Sequence, residues 1–497
     1  MFSDRPADFQ GRCEKCVKYG ETVTKRMRGD LLMRLKGCVK NLFYILAVCF
    51  VFLPSAVRAQ VTGMRVSSGP ARVRIVLDLD APASFTEAKG QPGIRLEVGT
   101  GVTKALERSL KDPVVQKIRL AKKGKNAGVL EVDLGKSAQH KVLVLKKPDR
   151  LVLDVYRIQI VKTNRELGDG LSYTYWQDDM KGLPVRLYVL SLKPGSSYYL
   201  KPFSGAGDRN GRGRLTAASA VAGARAAVNA SYFDTDGWVI GNCKWQGTFY
   251  GMDTTPRSAL VIDKTGNPSV QQDLSYRGSV SLSDGQVMEI KGINRQRMAQ
   301  DLVLLNRYYG PETRTNEYGR EVKVKQGRAA ELSNKGNMRL DSDSLVLSGH
   351  GSSADILARI KRGDRVAIDQ TLGSRLADDA ILVLGGGPSL VEKGQVNVRS
   401  REESIAADIA YGRAPRTGVG VKEDGTVLLM VVDGRSAYSA GMTLKEFGEY
   451  FKRFGAKEAV NFDGGGSSEM VLDRKIMNRP SDGGERPISI GLGVFKK

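Results

Sequence analysis

The sequence predicts an α+β fold, a β-rich mixed α/β domain preceded by a small all-β sandwich domain. Three observations carry that expectation. Short runs between residues 73 and 155 alternate apolar and polar side chains, the period of half-buried strands. Beyond residue 171, strand-like apolar runs outnumber helical patterns and do not alternate with them strictly, which disfavours a doubly wound parallel sheet. The chain has 497 residues, 41% hydrophobic and 26% charged, enough for two or three domains of about 100–200 residues with ordinary cores. That composition excludes disordered, collagen-like and polytopic membrane classes.

Residues 1–32 are polar and patternless, and read as a misassigned start or an unstructured extension. Their Cys13-Glu-Lys-Cys16 pair lacks the second pair that a metal site would need. Residues 33–59 read as a signal peptide. Arg34, Lys36 and Lys40 precede an apolar run over 42–53, too short for the roughly 20 residues of a membrane span, and Pro54-Ser-Ala-Val-Arg-Ala59 supplies a cleavable end. Export across the cytoplasmic membrane to periplasm or cell wall follows. Four of the five cysteines lie at or before Cys49, so only Cys243 would remain in the mature chain. No disulfide framework is expected, as suits a bacterial envelope protein.

Residues 60–158 are expected to be all-β, with strands at 73–79, 94–98, 114–120, 129–134 and 150–155. Arg74-Ile-Val-Leu-Asp-Leu79, then Pro82 and Phe85, with a closing Arg150-Leu-Val-Leu-Asp-Val155, resembles the AMIN domain, a small sandwich of bacterial envelope proteins. The resemblance implies envelope targeting. His140, alone here, reads as a strand-end residue. Residues 159–170 are polar and read as a linker before one long domain, 171–497.

In that domain, strands are expected at 185–190, 227–229, 258–263, 366–369, 381–384, 427–432 and 459–462. An Ala-rich helix over 215–227 feeds the second of them. Residues 443–454 form an amphipathic helix with Thr443 as N-cap, Glu446 completing a capping box and Gly455 closing it.

Absences narrow the chemistry. His350 is the domain's single histidine, so a His-rich zinc site is impossible and a Ser-His-Asp triad would depend on it. No Walker-type phosphate loop occurs. Carboxylates, arginines, asparagines and backbone amides remain, and they cluster late in the chain. Asn461-Phe-Asp-Gly-Gly-Gly-Ser-Ser-Glu469 follows a strand; Asp463 there, with Gly464, Gly465, Gly466, Ser467 and Ser468, suits an anion or sugar site whose glycines turn amides toward the ligand. Arg416-Thr417 opens one strand, and Asp433-Gly434-Arg435 ends the next. Gly385-Gly-Gly-Pro388 reads as a second glycine loop.

These segments, taken in order with Asn229-Ala-Ser-Tyr-Phe233, Pro256-Arg257, Asn306-Arg-Tyr-Tyr309, Gly349-His350-Gly351 and Arg486-Pro487, resemble the phosphodiester glycosidase family over roughly residues 168–497. That family is named for N-acetylglucosamine-1-phosphodiester α-N-acetylglucosaminidase. Many members have two glycines after the first asparagine where this chain has Ala230-Ser231, a difference that bears on substrate identity more than on reaction class. The resemblance implies hydrolysis of a sugar-1-phosphodiester to a free sugar and a phosphate monoester. Asp463 is the expected carboxylate at C1, with Asp433 and Glu469 as rivals. Arg416 and Arg435, with Arg257, would neutralise the departing phosphate. Asn229, Asn306, His350, Thr417, Asn461, Ser467 and Ser468 would line the sugar. No cofactor is expected, although oxygens of Asp433, Asp463 and Asn461 would suit Mg²⁺ or Ca²⁺. The contrasting expectation is a non-catalytic module that binds glycopolymer during exopolysaccharide or wall assembly.

Charge bears on the partner. The formal net charge is +23, of which residues 1–59 hold +6 and residues 60–160 hold +9. An anionic cell-wall or exopolysaccharide polymer is the expected substrate and docking surface, with nucleic acid disfavoured by export.

Overall fold

The computed structural model describes residues 59–88, 93–207 and 209–497. The expected N-terminal extension, the segment read as a signal peptide up to residue 58 and the Cys13–Cys16 pair lie outside them. Contacts divide the chain into two compact units. Among the described residues, the smaller comprises 59–65, 76–135 and 143–152, and the larger comprises 66–75, 136–142 and 153–497.

The smaller unit holds a five-stranded sheet in the order Phe85–Glu87, Ile94–Val98, Gly128–Leu134, Val115–Lys122, Leu106–Ser109. Its pairings are antiparallel. Along Ile94–Val98 every second residue is buried, as the sequence alternation requires.

The larger unit is mainly β, and this narrows the α+β expectation. Its helices are few and short, the longest being Leu444–Arg453. Its largest sheet has eight antiparallel strands, in the order Val161–Gly168, Leu171–Met180, Leu183–Leu192, Val427–Val432, Arg416–Lys422, Ala456–Asn461, Ser389–Glu392, Gln395–Val396. The first of these corrects the linker expected over 159–170. Val161–Gly168 is a polar edge strand, mostly exposed, turned into its neighbour through Asp169 and Gly170 at φ 53° and 77°. Both positive angles fit a tight hairpin, and an edge with a solvated face needs no apolar pattern to betray it.

The unbroken apolar run Val427–Val432 is explained by cores on both faces of the sheet. Val427, Leu429 and Val431 enter one, and Leu428, Met430 and Val432 enter the other. On the second face lies the helix Leu444–Arg453. Its capping box forms as expected, Thr443 Oγ1 accepting from Glu446 N while Glu446 accepts from Thr443 N. Leu444, Phe447, Tyr450 and Phe451 are buried at helical spacing, each worth about 1.5–3 kcal/mol. Phe447 and Phe451 press so closely on Gly418 and Gly420 that a Cβ at either glycine would lie 2.9 or 2.7 Å from a ring carbon. Those two glycines serve packing.

Antiparallel order decides where chemistry can gather. Arg416 pairs with Val432, and Gly418 with Asn461. The start of one strand and the ends of two others therefore share one end of the sheet. A second sheet sets Ala226–Asn229 between Met470–Leu472 and Ile490–Lys496, and delivers Asn229 and Glu469. A third brings Arg257–Ile262 beside Leu382–Gly385.

Candidate active site

Three sheets meet around Asn229. Its side chain donates to Asp463 O at 2.7 Å and accepts from Thr417 Oγ1 at 2.7 Å and Glu469 N at 3.0 Å. Asn229 and Thr417 are thus buried rivets rather than the sugar ligands expected. Asn461 plays a related part. Its Nδ2 donates to Tyr232 Oη, Gly387 O and Phe462 O, and its buried Oδ1 has no partner.

These rivets hold Asp463 just beyond its strand. Gly464 N donates to its Oδ1 at 2.9 Å, and the Ser467 hydroxyl also bonds to it. Burial outweighs both and pushes the carboxyl up to about 6. Tyr232, overlooked as a site residue although it lies in the Asn229–Phe233 motif, donates to Gly387 O at 2.9 Å. Its phenol is pushed upward by burial and then by the Asp463 charge, with Arg416 and Arg257 opposing. Asp463, Tyr232, Arg416 and Arg257 therefore form one electrostatic neighbourhood.

Arg416 is 2% exposed and, among the described residues, forms no ion pair with a carboxylate. Nε donates to Met442 O, and Nη2 to Ile409 O and Gly412 O. A buried guanidinium hydrogen-bonded only to carbonyls, with Asp408 acting on it through space, is under-compensated; burial lowers its pKa, and the arrangement favours an anionic ligand. Arg435 is exposed and stands over Gly465, close enough for its charge to act on Arg416. Arg257 lies beside Asp253 at 3.4 Å, its Nε lacking a hydrogen bond, near Gly387. The loop Gly385–Pro388 thus belongs to the site.

Two of the three glycine amides are spent within the protein rather than offered to a ligand. Residues Gly465–Ser467 form a 3₁₀ turn. Gly464 N–H serves Asp463, Gly465 N–H goes to Pro415 O, and Ser467 and Ser468 N–H close the turn on Gly464 O and Gly465 O. What the glycines provide is clearance. A Cβ on Gly465 would lie 3.2 Å from Arg435 Nη2, and one on Gly466 only 2.3 Å from Arg486 Nη2 and 2.1 Å from Asp482 Oδ2. Arginine side chains occupy the space that side chains at 465 and 466 would fill.

The rival carboxylates part company. Asp433 is anchored: Oδ2 accepts from Tyr188 Oη at 2.8 Å, and Oδ1 from Arg479 N and Asn478 Nδ2. That gives Asp433 a structural role; among the described residues no group of three potential His, Cys, Asp or Glu metal ligands occurs. Glu469 is 2% exposed and shares its carboxyl with Glu485, so burial and that neighbour push it up to about 9. Glu485 is itself fixed by Thr216 N and Oγ1. Glu469 is therefore a protonated acid at neutral pH. Ser468 Oγ is buried without a partner.

Two expected site residues are placed elsewhere. Asn306 bonds to Asn294 and Phe249 O in a separate cluster lining a cavity of about 290 Å³. His350 accepts from Gln300 N through Nδ1. Two hollows of about 480 and 520 Å³ also lie apart from Asp463, one lined by Tyr198, Trp245 and Pro268, the other by Arg307, Tyr308 and Pro311.

The arginine-ringed Asp463 turn falls inside a stretch, residues 313–495, that matches the family model "Phosphodiester glycosidase". These residues are a phosphodiester glycosidase domain. The match includes Arg416, Arg435, Asp463 and Glu469, while Asn229, Tyr232 and Arg257 reach the domain from upstream sheets. The chain is 32% identical over 120 residues, 23% of its length, to the SPbeta prophage-derived uncharacterized protein YomE of Bacillus subtilis (strain 168). It is 24% identical over 153 residues, 28% of its length, to the N-acetylglucosamine-1-phosphodiester alpha-N-acetylglucosaminidase of Mus musculus. These stretches span only 19% and 29% of the two relatives. Two crystal structures share the fold at 18% identity over 88% of the chain: a hypothetical protein from Synechocystis (TM-score 0.61, 81% of that chain) and a putative exported protein from Burkholderia pseudomallei (TM-score 0.55, 100% of that chain).

Proposed function

We propose that the phosphodiester glycosidase domain hydrolyses a sugar-1-phosphodiester, of the N-acetylhexosamine-1-phosphodiester kind, in a bacterial envelope glycopolymer or exopolysaccharide. The observation that carries this reading is a carboxyl displaced to about 6 beside a buried, carboxylate-free Arg416. In this reading the sugar C1–O bond breaks and water supplies the new C1 hydroxyl. Asp463, ionised above pH about 6, stabilises the oxocarbenium-like state at C1 or takes the proton of the attacking water. Arg416 and Arg435 hold the phosphate as its charge grows, a preorganised contribution of the oxyanion-hole kind. Glu469, protonated, supplies the site's acid. A carboxylate and a carboxylic acid kept apart in pKa by their surroundings is the pattern of an acid–base pair.

The segment over 33–59 would export the chain, and the basic region 60–158 would hold it against an anionic polymer in the manner of an AMIN domain. The decisive experiment incubates the protein with a panel of sugar-1-phosphodiesters and wall or capsular fragments, and assays free reducing sugar and phosphate monoester in equal amounts. Tight polymer binding with no sugar released from any of them would favour the binding module instead.

A further inference from the structure

A second cluster of arginines lies beyond the reacting centre. Tyr438 is 53% exposed on the turn that Asp433 begins. Two guanidiniums lie over its ring, Arg186 with Cζ 5.0 Å and Arg479 with Cζ 5.5 Å from the centroid. Neither pairs with a carboxylate among the described residues; Arg186 Nε is held by Gln177 Oε1 at 2.9 Å. Asp433 feels Arg186 only at longer range, because its oxygens face Tyr188, Asn478 and Arg479 N.

The cluster is built rather than incidental. Ser439 Oγ donates to Asp433 O at 2.6 Å, Ser436 N to Ser439 O and Ala440 N to Pro184 O, which fixes the turn carrying Tyr438. The Asp433 carboxylate receives Arg479 N at 2.9 Å, so one residue holds both sides of the aromatic ring, by its carbonyl on one side and its carboxylate on the other. Bringing two like charges onto one ring is unfavourable unless the π face and an anion offset it. The ring is present. Arg435, on the same turn, connects the cluster to Gly465 and the Asp463 site.

We propose that Arg186, Arg479 and Tyr438 form a second phosphate subsite, which selects substrates whose aglycone carries a further phosphate. The substrate class is then a chain of repeating phosphodiesters rather than a single diester with a neutral aglycone. This rests on the hydrolase reading above, and the test separates the two.

Binding is measured first, by calorimetry of tripolyphosphate against the Asp463→Asn chain at low salt. Adding Arg186→Gln and Arg479→Gln should weaken it roughly tenfold, as loss of charge-assisted bonds predicts, and added salt should shrink the difference. Activity follows on the otherwise unaltered chain, with two substrates that differ only by a second phosphate on the aglycone. The parent should prefer the doubly charged one by about tenfold in kcat/KM. Arg479→Gln, at an exposed position that does not threaten the fold, should reduce that preference and leave the neutral-aglycone rate unchanged. Unchanged tripolyphosphate binding in the double variant, or a preference that survives it, overturns the subsite. No turnover of either substrate, with tripolyphosphate binding still lost in the double variant, would sink the hydrolase reading and leave the subsite standing.

Discussion

Asp433 and Asp463 leave neighbouring regions of one sheet end, each followed by glycine, and each displaced upward by burial. Their fates differ because of the donors around them. Asp433 meets a tyrosine hydroxyl, an asparagine amide and a backbone N–H, and becomes a peg that ties its strand end to Tyr188 and to residues 478–479. Asp463 meets only its own turn's N–H and a serine hydroxyl, and the cation acting on it, Arg486, is shared with Asp482. A saturated carboxylate builds structure. An under-satisfied one in a neighbourhood rich in arginines is available to a substrate.

The largest test of this contrast is catalytic. Asp463→Asn should lower kcat by about a thousandfold, within the range for a positioned acid–base group, while Asp433→Asn should lower it by less than about tenfold. The reverse ranking, in variants that remain folded, would break the comparison. Next comes the pH profile. Activity should rise as Asp463 ionises through about pH 6 and fall as Glu469 loses its proton toward about pH 9. Glu469→Gln should cost about a hundredfold in rate and remove the alkaline limb; a limb that persists would assign it to another group.

Stability sharpens the contrast further. Asp433→Asn places an amide against the donors that now point at the carboxylate, and denaturant unfolding should show a loss of about 1–3 kcal/mol. Asp463→Asn should move the other way. Because the folded pKa of Asp463 is raised, its ionisation weakens the fold as pH climbs from the unfolded value near 4 through about 6. The variant should then be more stable than the parent at pH 8, by up to about 3 kcal/mol, with no such gain at pH 4. The smallest effect is expected at Gly465→Ala, where φ is 61° and the new methyl would crowd Arg435. About 1 kcal/mol of stability should be lost, with a rise in KM larger than the fall in kcat.

Much of this was written in the sequence. Thr443 and Glu446 announce their helix because a capping box is local chemistry. Residues 427–432 announce a strand buried on both faces because no polar residue interrupts them. Asp463 was legible because an acid beside three glycines and two serines at a strand end has few structural excuses. The edge strand Val161–Gly168 was not legible, since a strand with a solvated face carries polar residues and looks like a linker.

The sequence by itself determined which residues could do chemistry here: one histidine, no phosphate loop, and a late cluster of arginines and carboxylates. Only the tertiary structure decided which of them do. Asn229, Thr417 and Asp433 have the right side chains, yet all spend their hydrogen bonds on the protein. Tyr232, Arg486 and Glu485 enter the site from other strands and turns. The triple glycine opens space for arginines and spends the Gly464 and Gly465 amides on the protein. Each outcome depends on how many donors and cations distant segments bring to a group, and spacing along the chain does not encode that count.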